Sequence, residues 1–317
     1  MTTTAGVADD GRAPLRSVSP DHGRAPLRSV SPEVFEAERG RLTGLAYRML
    51  GELHEAQDVV QDAWLRWAGA GDEVRDPPAW LTRVVVNLCR NRLTSLRARR
   101  TEYVGPWVPE PVRTDGGADL GPLETAEQRE TLSLGVLQLM EALSPAERAV
   151  FVLHEAFGHP HAEVATLLDL PEATVRQHLH RARDRVRGRR RFEADPDRAA
   201  DLLARFLAAA AGQDLAALEQ LLADDAVAVS DGGGVVTAAR RPVEGRERIA
   251  RFVAGLARQA ATATIEVGEV NGSVGVSVRV DGVLTVVMQA AFDADTGRLV
   301  HLAAQLNPGK LRAVEAA

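Results

Sequence analysis

The chain has 317 residues, 45% of them apolar, which is enough material for two or three compact domains. It has no uncharged apolar run long enough to span a bilayer and no basic flank leading into an apolar stretch at its start. Its one cysteine, Cys89, excludes an internal disulfide and fits a reducing cytoplasm, so a cytoplasmic protein without a membrane span is expected. The net charge of −6 argues on average against nucleic acid, but the charge is unevenly placed. Between Arg83 and Arg100 stand six arginines and no acid, and between Pro171 and Phe192 eight arginines face only Glu172 and Asp184. Two basic blocks in an acidic chain predict localised contacts with anions, against the plainer reading of two solvated helix faces.

Residues 1–32 repeat GRAPLRSVSP at 11–20 and 23–32, are poor in large apolar residues, and are expected to form a disordered tail. A first helical block follows over 33–100. Phe35, Leu42, Leu45, Ala46, Met49 and Leu50 have helical spacing up to Gly51. A second helix covers 54–68, with Ala56, Val59, Val60, Ala63, Trp64 and Trp67 on one side and Asp58, Gln61, Asp62 and Arg66 on the other. A third opens near Pro78, where a missing N–H costs little, and runs over 79–100. Residues 101–124 hold several prolines and glycines and read as a linker, stiffened at WVPEP (107–111).

A second helical block covers 125–192. Ser144 is a candidate N-cap, with Pro145 at the first helical position and Glu147 three residues on. A short helix at 161–170, a turn at Leu170-Pro171 and a longer helix from 172 have the proportions of a helix-turn-helix. From 196 to 317 the texture changes. Two helices precede a strand at 226–230, the turn DGGG (231–234), a strand at 235–240 and a helix at about 245–260. Alternating segments at 263–270, 273–280, 283–292 and 297–305 follow, joined by the tight-turn pairs Asn271-Gly272 and Asp281-Gly282 and by a turn at 295–297. Helices first and hairpins last predict an α+β domain with a curved, mostly antiparallel sheet.

On the helix-turn-helix, Thr174, Val175, Arg176, His178 and Arg181 are placed for base edges, and Arg183, Arg187 and Arg190 for phosphate, although two apolar helices packed through Val164, Leu167, Leu168, Val175 and Leu179 would look similar in an ordinary bundle. In the first block, Trp80 stands at the entry of a helix carrying Arg83, Asn87, Arg90 and Asn91, a combination suited to a separated DNA strand; Trp80 serves equally well as a core anchor on spacing alone. HEAFGHPH (154–161) lacks the spacing of a metal motif, and Asn271-Gly272-Ser273 is taken as a chance match to a glycosylation signal.

The succession DVVQDAWLRW, PPAWLTRVVVNLCRNRL, LSPAERAVFVLHEAFG and LPEATVRQHLHRAR resembles the extracytoplasmic-function sigma factors of bacterial RNA polymerase, over about residues 33–192. The resemblance implies a sigma-2 helical bundle and a sigma-4 helix-turn-helix domain. Asp58, Gln61, Asp62 and Arg66 would bind the clamp helices of the polymerase β′ subunit. Trp80, Arg83, Asn87, Arg90 and Asn91 would open and read the −10 element, and the helix from 172 would read −35. Residues 196–317 resemble the cone-shaped SnoaL-like fold, which a subgroup of these factors carries as a regulator in cis. The residues of that subgroup's motifs are Trp107, Pro109, Glu110 and Pro111 in the linker, Asp231, Gly232, Gly233 and Gly234 in the DGGG turn, and Asn307, Pro308 and Lys310 near the end; Val108 and Gly309 depart from the common pattern.

The whole is therefore expected to be a three-domain, non-enzymatic promoter-recognition protein, with core polymerase and promoter DNA as partners and no cofactor or metal. A small apolar ligand in the cone is left open as a further partner. Catalysis there would rest on Asp231, which stands in a Gly-rich turn where Asp is favoured for backbone reasons alone. Two rivals stay in view: a DNA-binding regulator that acts without polymerase, and a sigma factor whose cone also converts a small molecule.

Overall fold

The structure, a computed structural model, describes residue 1 and residues 32–70, 74–115, 120, 121, 123, 125–187, 196–259 and 262–315. The repeat-containing tail therefore lies outside the described residues. The chain folds as three helices, a linker, a second helical group and an α+β domain, in that order.

Helices α1 (Pro32–Leu50), α2 (Leu53–Ala70) and α3 (Pro77–Thr101) pack on one another through the apolar stripes visible in the sequence. Asp76 caps α3 by accepting from the Ala79 N–H (3.1 Å), and its prolines occupy the first turn, where no N–H is needed. The second group comprises α4 (Ala126–Leu132), α5 (Leu134–Leu139), α6 (Pro145–Phe151), α7 (His161–Leu168) and α8 (Glu172–Arg187). The capping box foreseen at Ser144 is present: its hydroxyl accepts from the Glu147 N–H, and the Glu147 carboxylate accepts from the Ser144 N–H. Helix α6 then widens into a π-helical turn over Val152–Ala156. Between α7 and α8, Asp169 takes a left-handed conformation (φ 55°) that turns the chain within three residues.

The two helical groups share a single apolar core. Leu81, Val85, Cys89 and Leu93 of α3 are buried in the same cluster as Val150, Phe151, Val164 and Leu168. Polar groups stitch the seam as well. Arg148, fully buried, donates from Nε to the Arg48 carbonyl (3.1 Å), while Glu141 accepts from both Arg148 and Arg100. Burial opposes the charge on Glu141, yet the Arg148 and Arg100 guanidiniums outweigh it and hold the carboxyl below its usual range.

The C-terminal domain contains α9 (Pro196–Ala211), α10 (Leu215–Leu221), α11 (Arg246–Gln259), α12 (Pro308–Glu315) and a six-stranded sheet. Its strands are β1 (Leu222–Asp231), β2 (Val243–Glu244), β3 (Thr264–Val270), β4 (Ser273–Val280), β5 (Val283–Phe292) and β6 (Leu299–Gln305), in the order β2-β1-β6-β5-β4-β3. All neighbours are antiparallel except β1 and β6. Helices α9, α10 and α11 cover one face of the curved sheet around Phe206, Leu218, Ile249 and Phe292. One expectation needs correction, and one element was not foreseen. Residues 235–240 form turns and an irregular loop instead of a strand: Gly233 and Gly234 adopt positive φ and direct the chain outward, leaving Val235 73% exposed with no strand to pair with. The segment that begins at Pro308 is a helix, α12, whose Leu311 and Val314 are buried against Leu284 and Val287 of β5.

Candidate functional site

The exposed face of α2 includes Asp58, Gln61, Asp62 and Arg66. In their midst stands Leu65, 61% exposed, an apolar residue that sequence reasoning passed over although it falls on the same helical stripe. On α3, Arg83, Asn87 and Asn91 are exposed at four-residue intervals, with Arg90 half-buried at their side. Trp80 is half-buried and packs on Trp67, with ring centroids 5.7 Å apart. It thus anchors the core and offers only part of its ring to a ligand. Asn87, Arg90, Asn91 and Thr94 line a pocket with Pro145 of α6, so the second helical group abuts this face.

On α8, Arg176 and Arg181 are exposed, and Thr174 and His178 are half-buried. Arg176 pairs with Glu172 one turn back. Arg183 turns inward to Glu155 (2.6 Å), which holds the helix on its own domain. Val175 requires a correction: it is fully buried with Val164, Leu179, Ala182 and Val186, so it holds the two helices together and presents nothing to a base. Its four-residue spacing from Leu179 carried that signal. Arg190 and the side chain of Arg187 lie outside the described residues.

The linker is the part most thoroughly held. Val108, Pro109, Glu110, Pro111 and Val112 are all buried. Asp231, at the end of β1, is fully buried and fixes the linker from one side. It accepts from the Val108 N–H (2.9 Å), the Tyr103 hydroxyl (2.6 Å), the Gly233 N–H (2.9 Å) and Lys310 Nζ (2.8 Å). Lys310 also donates to the Val108 carbonyl (2.8 Å) and lies over the Trp107 ring at 4.4 Å, with Arg100 over that ring at 3.5 Å. Burial lowers the Lys310 pKa, and the Asp231 carboxylate opposes that shift. Burial, and then the Asp231 carboxylate, push the Tyr103 hydroxyl up, so it stays a donor. Asn307 donates to the Tyr103 oxygen (3.1 Å) and packs on the DGGG turn; a Cβ on Gly233 would stand 2.2 Å from its amide nitrogen. Residues from the linker, the DGGG turn and the segment 307–310 thus meet at one place.

Three buried amides on the sheet complete the clamp. Gln305 donates to the Val108 (3.0 Å) and Pro109 (3.2 Å) carbonyls. Gln289 accepts from the Leu134 N–H (2.7 Å) at the start of α5 and donates to the Val270 carbonyl (2.7 Å). Asn271, in the β3–β4 turn, accepts from the Val112 N–H (2.9 Å) and donates to the Tyr47 hydroxyl (2.7 Å) and the Leu132 carbonyl (3.0 Å). This one side chain joins the first helical group, the linker, the second helical group and the sheet. In the sequence Asn271 stands only as a turn residue inside a chance sequon; no local pattern marks the rest.

The linker also reaches the helix that carries the Asp58 face. The Glu110 carboxylate accepts from the Leu53 N–H (2.6 Å) at the start of α2, and its own N–H donates to the Gly51 carbonyl (2.9 Å). Burial raises the Glu110 pKa despite the Leu53 N–H and His54 beside it. Glu52, His54 and Glu55 also converge here, but Arg100 binds Glu52 (2.9 Å) and Arg92 and Arg99 bind Glu55, which leaves those carboxylates committed to cations of the chain itself.

Fold and site together define two packed helical modules, one of them a helix-turn-helix, clamped through their linker by an α+β cone. The comparisons agree with that description. Residues 34–100 match the family model "Sigma-70 region 2", residues 133–186 match "Sigma-70, region 4", and residues 203–304 match "SnoaL-like domain". "ECF RNA polymerase sigma factor SigJ" of Mycobacterium tuberculosis is 39% identical over 227 residues, 71% of this chain and 72% of that protein. "ECF RNA polymerase sigma factor SigG" of the same species is 31% identical over 223 residues, 61% of this chain and 59% of that one. The crystal structure of M. tuberculosis SigJ superposes with a TM-score of 0.70 at 33% identity, covering 89% of this chain and 98% of that structure. The chain belongs to the extracytoplasmic-function RNA polymerase sigma factors and carries a C-terminal SnoaL-like domain.

Proposed function

We propose that this chain binds core RNA polymerase, directs it to promoters, and is restrained in cis by its C-terminal domain. Asp58, Gln61, Asp62 and Arg66, with Leu65 at their centre, form the surface for the β′ clamp helices. Arg83, Asn87, Arg90 and Asn91, with part of Trp80, engage the −10 element, and Thr174, Arg176, His178 and Arg181 engage −35. Working surfaces on two separate modules must reach two separate stretches of promoter. The described arrangement instead packs the modules into one core and sets Pro145 against the −10 face. The observation that carries the reading is the clamp: Asp231, Lys310, Gln305 and Asn271 hold the linker, and the linker holds both modules. Opening would require those contacts to exchange for water or polymerase, and any ligand that biases the balance must bind the open and closed forms unequally.

A catalytic role for the cone is disfavoured on chemical grounds. A general base needs a free lone pair facing a substrate cavity. Asp231 is instead saturated by donors from the linker and Lys310. The decisive experiment is run-off transcription with core polymerase from a cognate promoter, comparing the full chain with one truncated after about residue 205. Altered transcript yield is expected. Equal yields would reject restraint in cis, and failure of both proteins to bind core polymerase would reject the sigma-factor reading itself.

A further inference from the structure

The C-terminal domain carries a basic surface that the clamp does not use. Between Arg240 and Arg258 the sequence has six arginines and two glutamates, whereas the rest of residues 196–317 has thirteen acids and six bases. Arg240 and Arg241 are exposed in the loop that leads to α11. On α11, Arg248, Arg251 and Arg258 fall along one exposed stripe, opposite the buried Ile249 and Ala250. Arg246 is held by Asp224, and Arg251 by Glu247 (3.2 Å). Arg240, Arg241, Arg248 and Arg258 have no ion pair among the described residues.

The position of this surface matters as much as its charge. The loop that opens it lies on the linker: a Cβ on Gly105 would sit 3.7 Å from the Arg240 Cα, and Val104, Gly105 and Arg240 line one pocket. Gly105 follows the C-terminus of α3 by a few residues. The basic loop therefore lies beside the residues that follow the arginine-rich helix of the first module, and α11 continues the chain from it.

We infer that the SnoaL-like domain contacts promoter DNA directly, through Arg240, Arg241, Arg248 and Arg258, on the sugar–phosphate backbone next to the segment engaged by α3. Guanidiniums with no carboxylate partner among the described residues, in an otherwise acidic domain tethered to a DNA-binding module, match a phosphate backbone in charge and in hydrogen-bonding geometry. Contacts of this kind add affinity without base choice. The inference rests on the sigma-factor reading above. On it, the domain is a brake in the closed form and a DNA grip in the promoter complex.

The test uses full-length protein in which Arg240, Arg241, Arg248 and Arg258 are all replaced by Gln. Affinity for core polymerase and, separately, affinity of the assembled holoenzyme for a labelled promoter fragment are measured over a series of salt concentrations. Core affinity should be unchanged. The slope of log affinity against log salt should become shallower by about two to four, since each lost phosphate contact removes about 0.9. Affinity at low salt should fall about tenfold or more. A control with the already paired Arg246 and Arg251 replaced by Gln should leave the slope close to wild type. An unchanged slope in the quadruple variant, with its melting curve intact, overturns the inference; so does a loss confined to core affinity, which would assign the surface to a protein partner. Failure of the wild-type protein to assemble with core polymerase would instead reject the underlying reading.

Discussion

Asn271→Gly tests the clamp at its most connected point. Asn271 has φ 51°, a conformation that glycine adopts without strain, and Gly-Gly remains a good tight-turn pair, so the substitution removes the side chain and leaves the hairpin. It strands the Val112 N–H and the Leu132 carbonyl, while Tyr47 keeps its bond to the Glu110 carbonyl. Each stranded buried group costs about 1–3 kcal/mol, and water entering the vacated space recovers part of it, so the docked form should lose about 2–4 kcal/mol. At 1.4 kcal/mol per tenfold, the equilibrium for undocking the linker rises by about 30- to 700-fold. The assay is hydrogen exchange at the Val108 and Val112 amides, both buried and bonded across the clamp. Asp281→Gly is the control, because Asp281 has the same φ of 51° in the exposed β4–β5 turn. If both variants exchange these amides at the wild-type rate, Asn271 is a turn residue and nothing more, and the argument that it joins the modules fails.

The remaining predictions use other parts of the clamp and the DNA faces. Lys310→Met removes the cation from fully buried Asp231 and should destabilise the C-terminal domain by about 3 kcal/mol, read by chemical denaturation; a change below about 1 kcal/mol would show the pair to be dispensable. Burial lowers the His301 pKa to about 4, so the fold holds a neutral imidazole whereas the unfolded chain takes up a proton near pH 6.5. The unfolded state then binds more protons, and stability falls as pH drops from about 6.5 towards 4, by at most about 1.4 kcal/mol per unit from this group. His301→Gln should flatten that part of the wild-type pH–stability curve, and an identical slope in both proteins would remove His301 as its cause. Arg176→Ala and Arg181→Ala should each weaken −35 binding by about 1–3 kcal/mol with selectivity lost at one position. Val175→Ala should instead lower the melting temperature of the helix-turn-helix; unchanged stability with changed base preference would restore Val175 to the DNA face.

What the sequence disclosed, and what it hid, follows the range of the interactions concerned. The Ser144 capping box, the Asn271-Gly272 and Asp281-Gly282 turns and the stripes of α2 and α8 are local, so their residue spacing already contained the outcome. The strand expected at 235–240 failed because β-propensity in Val235, Val236 and Thr237 needs a partner strand, and the two positive-φ glycines before them lead the chain away from the sheet. Helix α12 went unseen because its apolar stripe is two residues, Leu311 and Val314, too few to mark a period. Asn271, Gln289 and Gln305 were invisible for a further reason: a buried amide is specified by the groups it meets, and here each has at least one partner more than 100 residues away.

The chemistry of that contact bears on how the domain can act as a restraint. The apolar cluster between the cone and the rest of the chain has few members: Val229 and Ala303, with Val227, against Val108 of the linker and Leu134 of α5, while Ala313 of α12 packs on the helical core. Most of the attachment is amide, carboxylate and ammonium bonded to backbone. An apolar seam of similar extent would gain its full transfer energy on closing and could open only by exposing that surface to water. Hydrogen bonds contribute about 1 kcal/mol each on balance, since water replaces them on opening, but their geometry allows one register only. A polar clamp therefore specifies the closed arrangement sharply while holding it at modest depth. The core shared by the two helical modules is the opposite case, apolar along most of its length. The clamp should accordingly release before the modules separate, with the loss of protection at Val108 and Val112 preceding that at Leu93 and Val150 in a hydrogen-exchange time course. If the modules lose protection first, or all four amides exchange together, the linker is not the latch of this molecule.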